Sequence, residues 1–259
     1  MKSKIQTILN ICHARGVKVT TQTILIKLAN LLSEDKNIPT IWIEYCNWLT
    51  FANSGMLNKG NVNCMNHAIK NLCSDAPIVE IGSFCGLSTN MITYFKEKYD
   101  KKNLLISCDK WIFGGAENEG SLGDSTTIKH SEYREFVKET FVRNIKMFSR
   151  YDLPYTIEFF SDEFFAAWHD LKKCRDILNR EITLGGPMSF CYIDGNHSYD
   201  YTKRDFENCD TFLEVGGFVL FDDSAGSFPG VTNVIKEVIK SKKYNIIAKN
   251  PNYFFQKVK

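Results

Sequence analysis

From Pro77 onward, short apolar runs rich in β-branched and aromatic residues alternate with stretches whose apolar positions return every three or four residues. The first pattern suits buried strands and the second amphipathic helices, so the chain predicts a parallel sheet covered by helices. The strand-like runs are 77–81, 104–108, 155–159, 189–193 and 218–221. Helical spacing appears at Leu87, Met91, Tyr94 and Phe95, then over 132–148 with Phe136, Phe141, Ile145 and Phe148 toward the core. It returns from Ser161 to about Leu178 and from Pro229 through Lys240. Two last runs, 244–248 and 253–258, are joined only by Lys249-Asn250-Pro251-Asn252. So short a link forces an antiparallel pair. The expected fold is α/β, with a seven-stranded, mostly parallel sheet closed by a C-terminal antiparallel hairpin.

Residues 1–74 carry helical spacing and no strand alternation. Helices are expected at 5–11, 23–32, 41–51 and 63–72, with turns at Asn53-Ser54-Gly55 and Asn58-Lys59-Gly60-Asn61. The expected division is an N-terminal helical extension or lid, 1–74, and an α/β domain, 75–259. The aromatic residues of the first part, Trp42 and Trp48 among them, serve a core or line a ligand mouth.

Composition narrows the partners. Hydrophobic residues make up 44% and charged residues 24% of the chain, ordinary values for a globular protein. A net charge of +2 gives no electrostatic case for nucleic acid or an anionic membrane. No apolar run approaches the ~20 residues that span a bilayer. The basic start MKSKIQTILNICHARG is interrupted at His13-Ala14-Arg15 and reads as a helix, not a signal segment. Nine cysteines are scattered without a C-x-x-C pair, which points to a reducing compartment, the cytoplasm, and argues against zinc.

The stretch PIVEIGSFCGLSTNMITY, 77–94, organises the rest. It reads strand, glycine turn, helix, and a helix start offers free N–H groups and a positive dipole end. A dinucleotide site wants G-x-G-x-x-G, with a middle glycine clearing room for pyrophosphate. Here that position is Phe84. The pattern from Glu80 through Gly82 to Gly86, acidic-x-Gly-x-x-x-Gly, instead resembles motif I of class I S-adenosylmethionine-dependent methyltransferases, which implies a Rossmann-like methyltransferase fold. The alternative is a plain strand-to-helix turn with glycines for geometry.

On this resemblance Glu80, Gly82, Ser83 and Gly86 form the cofactor turn. Ser88 and Thr89 bond the amino-acid end of the cofactor or cap the helix. Asp109, at the end of 104–108 and 23 residues past Gly86, stands near the offset at which an acid takes a ribose hydroxyl pair. Ser161 follows the third run, where such enzymes hold the adenine ring. Trp111 stacks on adenine or packs in the core. The polar span 111–131 faces substrate or is simply a mobile loop.

In an open α/β sheet, ligands sit outside the carboxyl ends of the strands. Four runs end in acids there: Glu80, Asp109, Asp194 and the pair Asp222-Asp223. Their crowding makes an anionic crevice whose burial a ligand must offset. The strings YIDGNHSYDYTKRDF and GGFVLFDD resemble metal-dependent O-methyltransferases of the macrocin and mycinamicin type, which act on sugar hydroxyls. That resemblance covers roughly 77–225. It implies Mg²⁺ held by Asp194, Asp222 and Asp223, with His197 as general base. Asn196 stands where relatives often carry a second Asp, a departure from their pattern.

The chemistry agrees with this. A hydroxyl is too weak an acid to attack a methyl sulfonium unaided, and a hard cation on carboxylates lowers its pKa. A histidine near neutral pKa, or Asp194, can then take the proton. His13, His67, His130 and His169 lie in helical or loop text and read as structural or solvent-facing. The leading expectation is an S-adenosylmethionine-dependent, Mg²⁺-dependent O-methyltransferase acting on a sugar or other small-molecule hydroxyl, with a homodimer as its assembly. The competing readings are a non-catalytic binding module on the same fold and a nicotinamide-dependent oxidoreductase.

Overall fold

The computed structural model describes residues 43–112, 120–123, 125, 127–226 and 228–259. The helices expected at 5–11 and 23–32, the start of that at 41–51, His13, Trp42 and the centre of the 111–131 span lie outside the described residues.

Seven strands form the main sheet in the order β3-β2-β1-β6-β7-β9-β8. These are β1 (Ile78–Ile81), β2 (Leu105–Cys108), β3 (Tyr155–Ile157), β6 (Met188–Ile193), β7 (Leu213–Phe221), β8 (Tyr244–Lys249) and β9 (Tyr253–Lys257). β1 runs parallel to β2 and β6, and β6 parallel to β7, whereas β9 pairs antiparallel with both β7 and β8. The expected mostly parallel sheet with a terminal hairpin is therefore present.

β7 starts earlier than the expected 218, at Leu213. Its pairing to β6 jumps between Met188↔Leu213 and Phe190↔Phe218. Gly216 absorbs the irregularity at φ 92°, a conformation open to glycine at little cost.

Among the described residues, seven helices cover the sheet. They are α1 (Glu44–Ala52), α2 (Lys59–Lys70), α3 (Leu87–Lys98), α4 (His130–Phe148), α5 (Ser161–His169), α6 (Tyr199–Phe212) and α7 (Pro229–Ser241). None of the described helices is long and apolar enough to cross a membrane. The helix expected to run from Ser161 to Leu178 stops at His169, which corrects that expectation. Leu171 turns left-handed at φ 52°, and the chain then makes a separate hairpin of β4 (Lys173–Arg175) and β5 (Glu181–Thr183). Asp176 closes its turn by accepting the N–H groups of Leu178 and Arg180.

The alternation of side chains along each strand divides the core into two layers. Val79, Ile81, Cys191, Ile193, Val219 and Phe221 pack with Phe164, Trp168, Val231 and Ile235 on one face. Ile78, Phe190, Tyr192, Phe218 and Leu220 pack with Leu49, Met65, Ile69, Met91 and Phe95 on the other. The helices α1 and α2 thus share a core with the sheet. Counting in twos from these residues places Glu80, Asp194 and Asp222 on the α2 side.

Candidate active site

The turn after β1 depends on two glycines. Gly82 has φ 85°, and a Cβ there would lie 2.0 Å from the main-chain oxygen of Asp194. Gly86 has φ 86° and opens α3 beneath Phe141. Between them the chain is held by Asp109. Its Oδ2 accepts the N–H groups of Ser83 and Phe84 at 2.7 and 2.9 Å, and its Oδ1 accepts that of Trp111 at 2.6 Å. An ionised carboxylate has about four acceptor sites, so one is left for a ligand hydroxyl. Burial nevertheless pushes the Asp109 carboxyl up, against the pull of those three N–H groups. Trp111 is fully buried, packs on Phe141 and donates its indole N–H to Phe84 O. It braces the turn instead of lying open to a ring.

Glu80 is fully buried. Its Oε2 accepts the hydroxyls of Thr89 at 2.6 Å, Ser107 at 2.9 Å and Ser83 at 3.2 Å, while Oε1 has no partner. Burial raises this carboxyl, and hydroxyls including that of Ser88 work in the other direction. The hydroxyls expected to meet the cofactor directly are thus already turned to Glu80, and no side chain caps α3.

Ser161 is the first residue of α5, and its hydroxyl bonds Asp205 of α6. Asp205 is 2% exposed, with Oδ1 unpartnered, and burial raises its carboxyl to about 6. Sequence reasoning missed it. The signal was there: Thr202, Asp205 and Cys209 form the buried stripe of α6, where a carboxylate is out of place.

At the ends of β6 and β7, the acids part into two environments. Asp222 is enclosed. Its Oδ1 accepts the side-chain N–H groups of Asn61, at 2.9 Å, and Asn252, together with the N–H of Asp223 at 2.8 Å. Its Oδ2 accepts the Tyr192 hydroxyl at 2.6 Å. Asp194 accepts the same hydroxyl at 3.1 Å and stays part-exposed. Burial and then the charge of Asp222 push the Asp194 carboxyl well above the usual range, and the same two causes raise Asp223.

His197 completes the second environment. Its ring stacks on Phe228 at 4.3 Å, and Nε2 lies 2.8 Å from Asp223 Oδ2. That is an ion-pair distance, yet Nε2 makes no hydrogen bond, because the approach is not along a donor–acceptor line. Asp194, His197 and Asp223 each offer one ligand atom within 4.8 Å of the others. The expected ligand Asp222 stands outside this group, and the expected base stands inside it. Asn196 turns inward to its own loop, its Oδ1 accepting the N–H of Ser198.

The remaining described histidines lie elsewhere. His67 packs edge-on against Phe218 and Phe254, His130 is buried at the start of α4, and His169 pairs with Asp170 in solvent. Sequence reasoning also missed Tyr192, Asn61 and Asn252, which arrive from three separate elements.

A parallel sheet ending in a reversed hairpin, with a glycine turn and acids along one edge, defines a Rossmann-like methyltransferase fold. The chain belongs to the family described as Methyltransferase domain, whose match spans residues 79–224. Solved structures with the same fold include the following three. The O-methyltransferase NovP is 17% identical, with a TM-score of 0.53 over 91% of this chain and 97% of its own. CalS11, a TDP-rhamnose 3'-O-methyltransferase of calicheamicin biosynthesis, is 14% identical, with a TM-score of 0.51 over 93% and 96%. The SAH-bound methyltransferase PaMTH1 of Podospora anserina is 12% identical, with a TM-score of 0.52 over 94% and 98%. No curated protein matches the sequence. Membership in a methyltransferase family sets aside the nicotinamide-dependent reading.

Proposed function

We propose that the protein transfers the methyl group of S-adenosylmethionine to a hydroxyl of a sugar or other small molecule, assisted by a divalent cation. The observation that carries this reading is the contact of Gly82 with the main chain of Asp194, which joins the cofactor turn and the acid cluster into one cleft. The likeness to NovP and CalS11 supports an oxygen acceptor.

Glu80 Oε1, buried and unpartnered, suits a donor from the amino-acid end of the cofactor. Asp109 suits the ribose, and Ser161 marks the adenine side. Asp194 and Asp223 suit a cation, because burial and then the charge of Asp222 raise each carboxyl, and a cation would relieve both. The sequence resemblance implies Mg²⁺, and a divalent cation held there would lower the pKa of a hydroxyl beside it. In the transfer, the sulfur–methyl bond breaks as the oxygen–methyl bond forms in line, with inversion at carbon. The hydroxyl proton goes to Asp194 or His197, and much of the acceleration comes from holding the two reactants together. Acceptor choice is assigned to the N-terminal region, 1–74, and the 111–131 span. Cytoplasmic residence is proposed from the free cysteines, all buried among the described residues except Cys73.

Calorimetric titration with S-adenosylmethionine and S-adenosylhomocysteine, with and without Mg²⁺, tests the reading. Micromolar cofactor binding and turnover on a hydroxyl panel are the expected results. Failure to bind either cofactor would overturn it, and binding without turnover would favour the non-catalytic module.

A further inference from the structure

We propose that His197 is a ligand of the cation site, through Nε2, alongside one oxygen each from Asp194 and Asp223. Asp222 stays outside that shell, and the site takes a first-row transition cation such as Mn²⁺ or Co²⁺ in preference to Mg²⁺. This deepens the reading above and rests on its cation.

The contact between His197 and Asp223 is the starting point. Nε2 and Oδ2 stand 2.8 Å apart, side by side, with no N–H directed from one to the other. A cation set between two such ligand atoms would hold both at this spacing and satisfy the unpartnered Nε2. Neighbouring ligands of an octahedral cation are about 3 Å apart, a spacing that follows from metal–ligand distances of about 2.1 Å. Asp194 supplies the third atom of the same cluster.

The surroundings hold this arrangement. Phe228 lies against the imidazole face and fixes its plane. The loop that carries His197 is closed on itself, with the Ser198 N–H on Asn196 Oδ1 and the Thr202 hydroxyl on Asn196 O. Asp222 is disqualified by its partners. Three donors already meet its Oδ1 and a tyrosine hydroxyl its Oδ2, and displacing any of them leaves a buried polar group unmet. Its role is to position: it sets Tyr192, whose hydroxyl also reaches Asp194.

Donor type then decides the metal. Mg²⁺ prefers oxygen ligands throughout and gives up water reluctantly, whereas imidazole nitrogen favours transition cations. With Nε2 committed, Asp194 is the residue left to accept the hydroxyl proton.

The 259-residue chain would be titrated with MnCl₂, CoCl₂ and MgCl₂ as wild type, His197→Ala and Asp222→Asn. S-adenosylhomocysteine binding would be measured on the same samples. Mn²⁺ should bind wild type at least about tenfold more tightly than Mg²⁺. His197→Ala should lose that preference together with the imidazole-dependent visible bands of bound Co²⁺. Asp222→Asn should keep those bands. Pulsed electron paramagnetic resonance of the Mn²⁺-loaded wild type should detect a directly bound nitrogen, a result that needs no variant to fold. Absence of that nitrogen, retention of the Co²⁺ bands in His197→Ala, or no Mn²⁺ binding at all would each overturn the proposal. Cation binding through His197 without S-adenosylhomocysteine binding would sink the methyl-transfer reading and leave the ligand assignment standing.

Discussion

Glu80, fully buried, keeps one carboxylate oxygen unpartnered while three hydroxyls converge on the other. A buried charge with half its valence unmet costs stability and repays it only on binding a donor. Glu80→Gln should therefore leave the free protein no less stable, yet weaken S-adenosylhomocysteine binding about 10- to 100-fold, the loss of a hydrogen bond to a charged group. Calorimetry and thermal unfolding on one sample separate the two effects. Parallel loss of both would mean that Glu80 only holds the turn together. At Gly82 the constraint is steric. Gly82→Ala would drive a Cβ into Asp194 O in a left-handed backbone, so about 3 kcal/mol or more of stability should go, read as a drop in denaturant midpoint. Both residues were legible in the sequence, because strand, acid and glycine lie within seven consecutive positions. Asp222 was legible as an acid but not as a guarded one. Asn61 lies 161 positions away from it, and neither asparagine carries any local pattern.

Helix α2 and the link between β8 and β9 meet at the site's back wall. The side chain of Asn252 donates to Asn61 Oδ1 and to Asp222, and its own Oδ1 accepts the Ala225 N–H. Asn61→Ala or Asn252→Ala should each cost about 1–3 kcal/mol by stripping a buried carboxylate of a donor, measured by urea unfolding. Each should also disturb cation affinity through Tyr192. The sheet elements were readable because parallel strands buried on both faces must be apolar throughout. The hairpin of β4 and β5 was not. Phe164, Phe165 and Trp168 set up a helical period that the intervening text does not cancel, and the stop at Leu171 is a backbone conformation, not a residue type that announces it.

Taken as a whole, the molecule concentrates its raised carboxyls on one rim: Glu80, Asp109, Asp194, Asp205 and Asp223. Each holds its proton to higher pH when folded than when unfolded, so each adds stability at low pH that is lost as pH rises toward the folded value. For Asp205 the window runs from its ordinary 3.8 to about 6. The loss is about 3 kcal/mol at 1.36 kcal/mol per unit. Unfolding in urea without divalent cation should therefore show stability falling between pH 4 and pH 6, with Asp205→Asn flattening the fall. Added Mn²⁺ should oppose the part owed to Asp194 and Asp223. A protein that instead gained stability steadily over this range would contradict the electrostatic account of the rim.

The junction of Asn61, Asp222 and Asn252 also sets an order of events at the ribosome. Residue 61 is made 191 residues ahead of residue 252 and must wait for it before their bond can form. Until then the nascent chain carries Asp222 as an unmatched charge on a strand that lacks β9 at its side. Completion of this edge accordingly waits until Asn252 has been made, and a chain cut ahead of it can build its glycine turn but not the wall behind its acids.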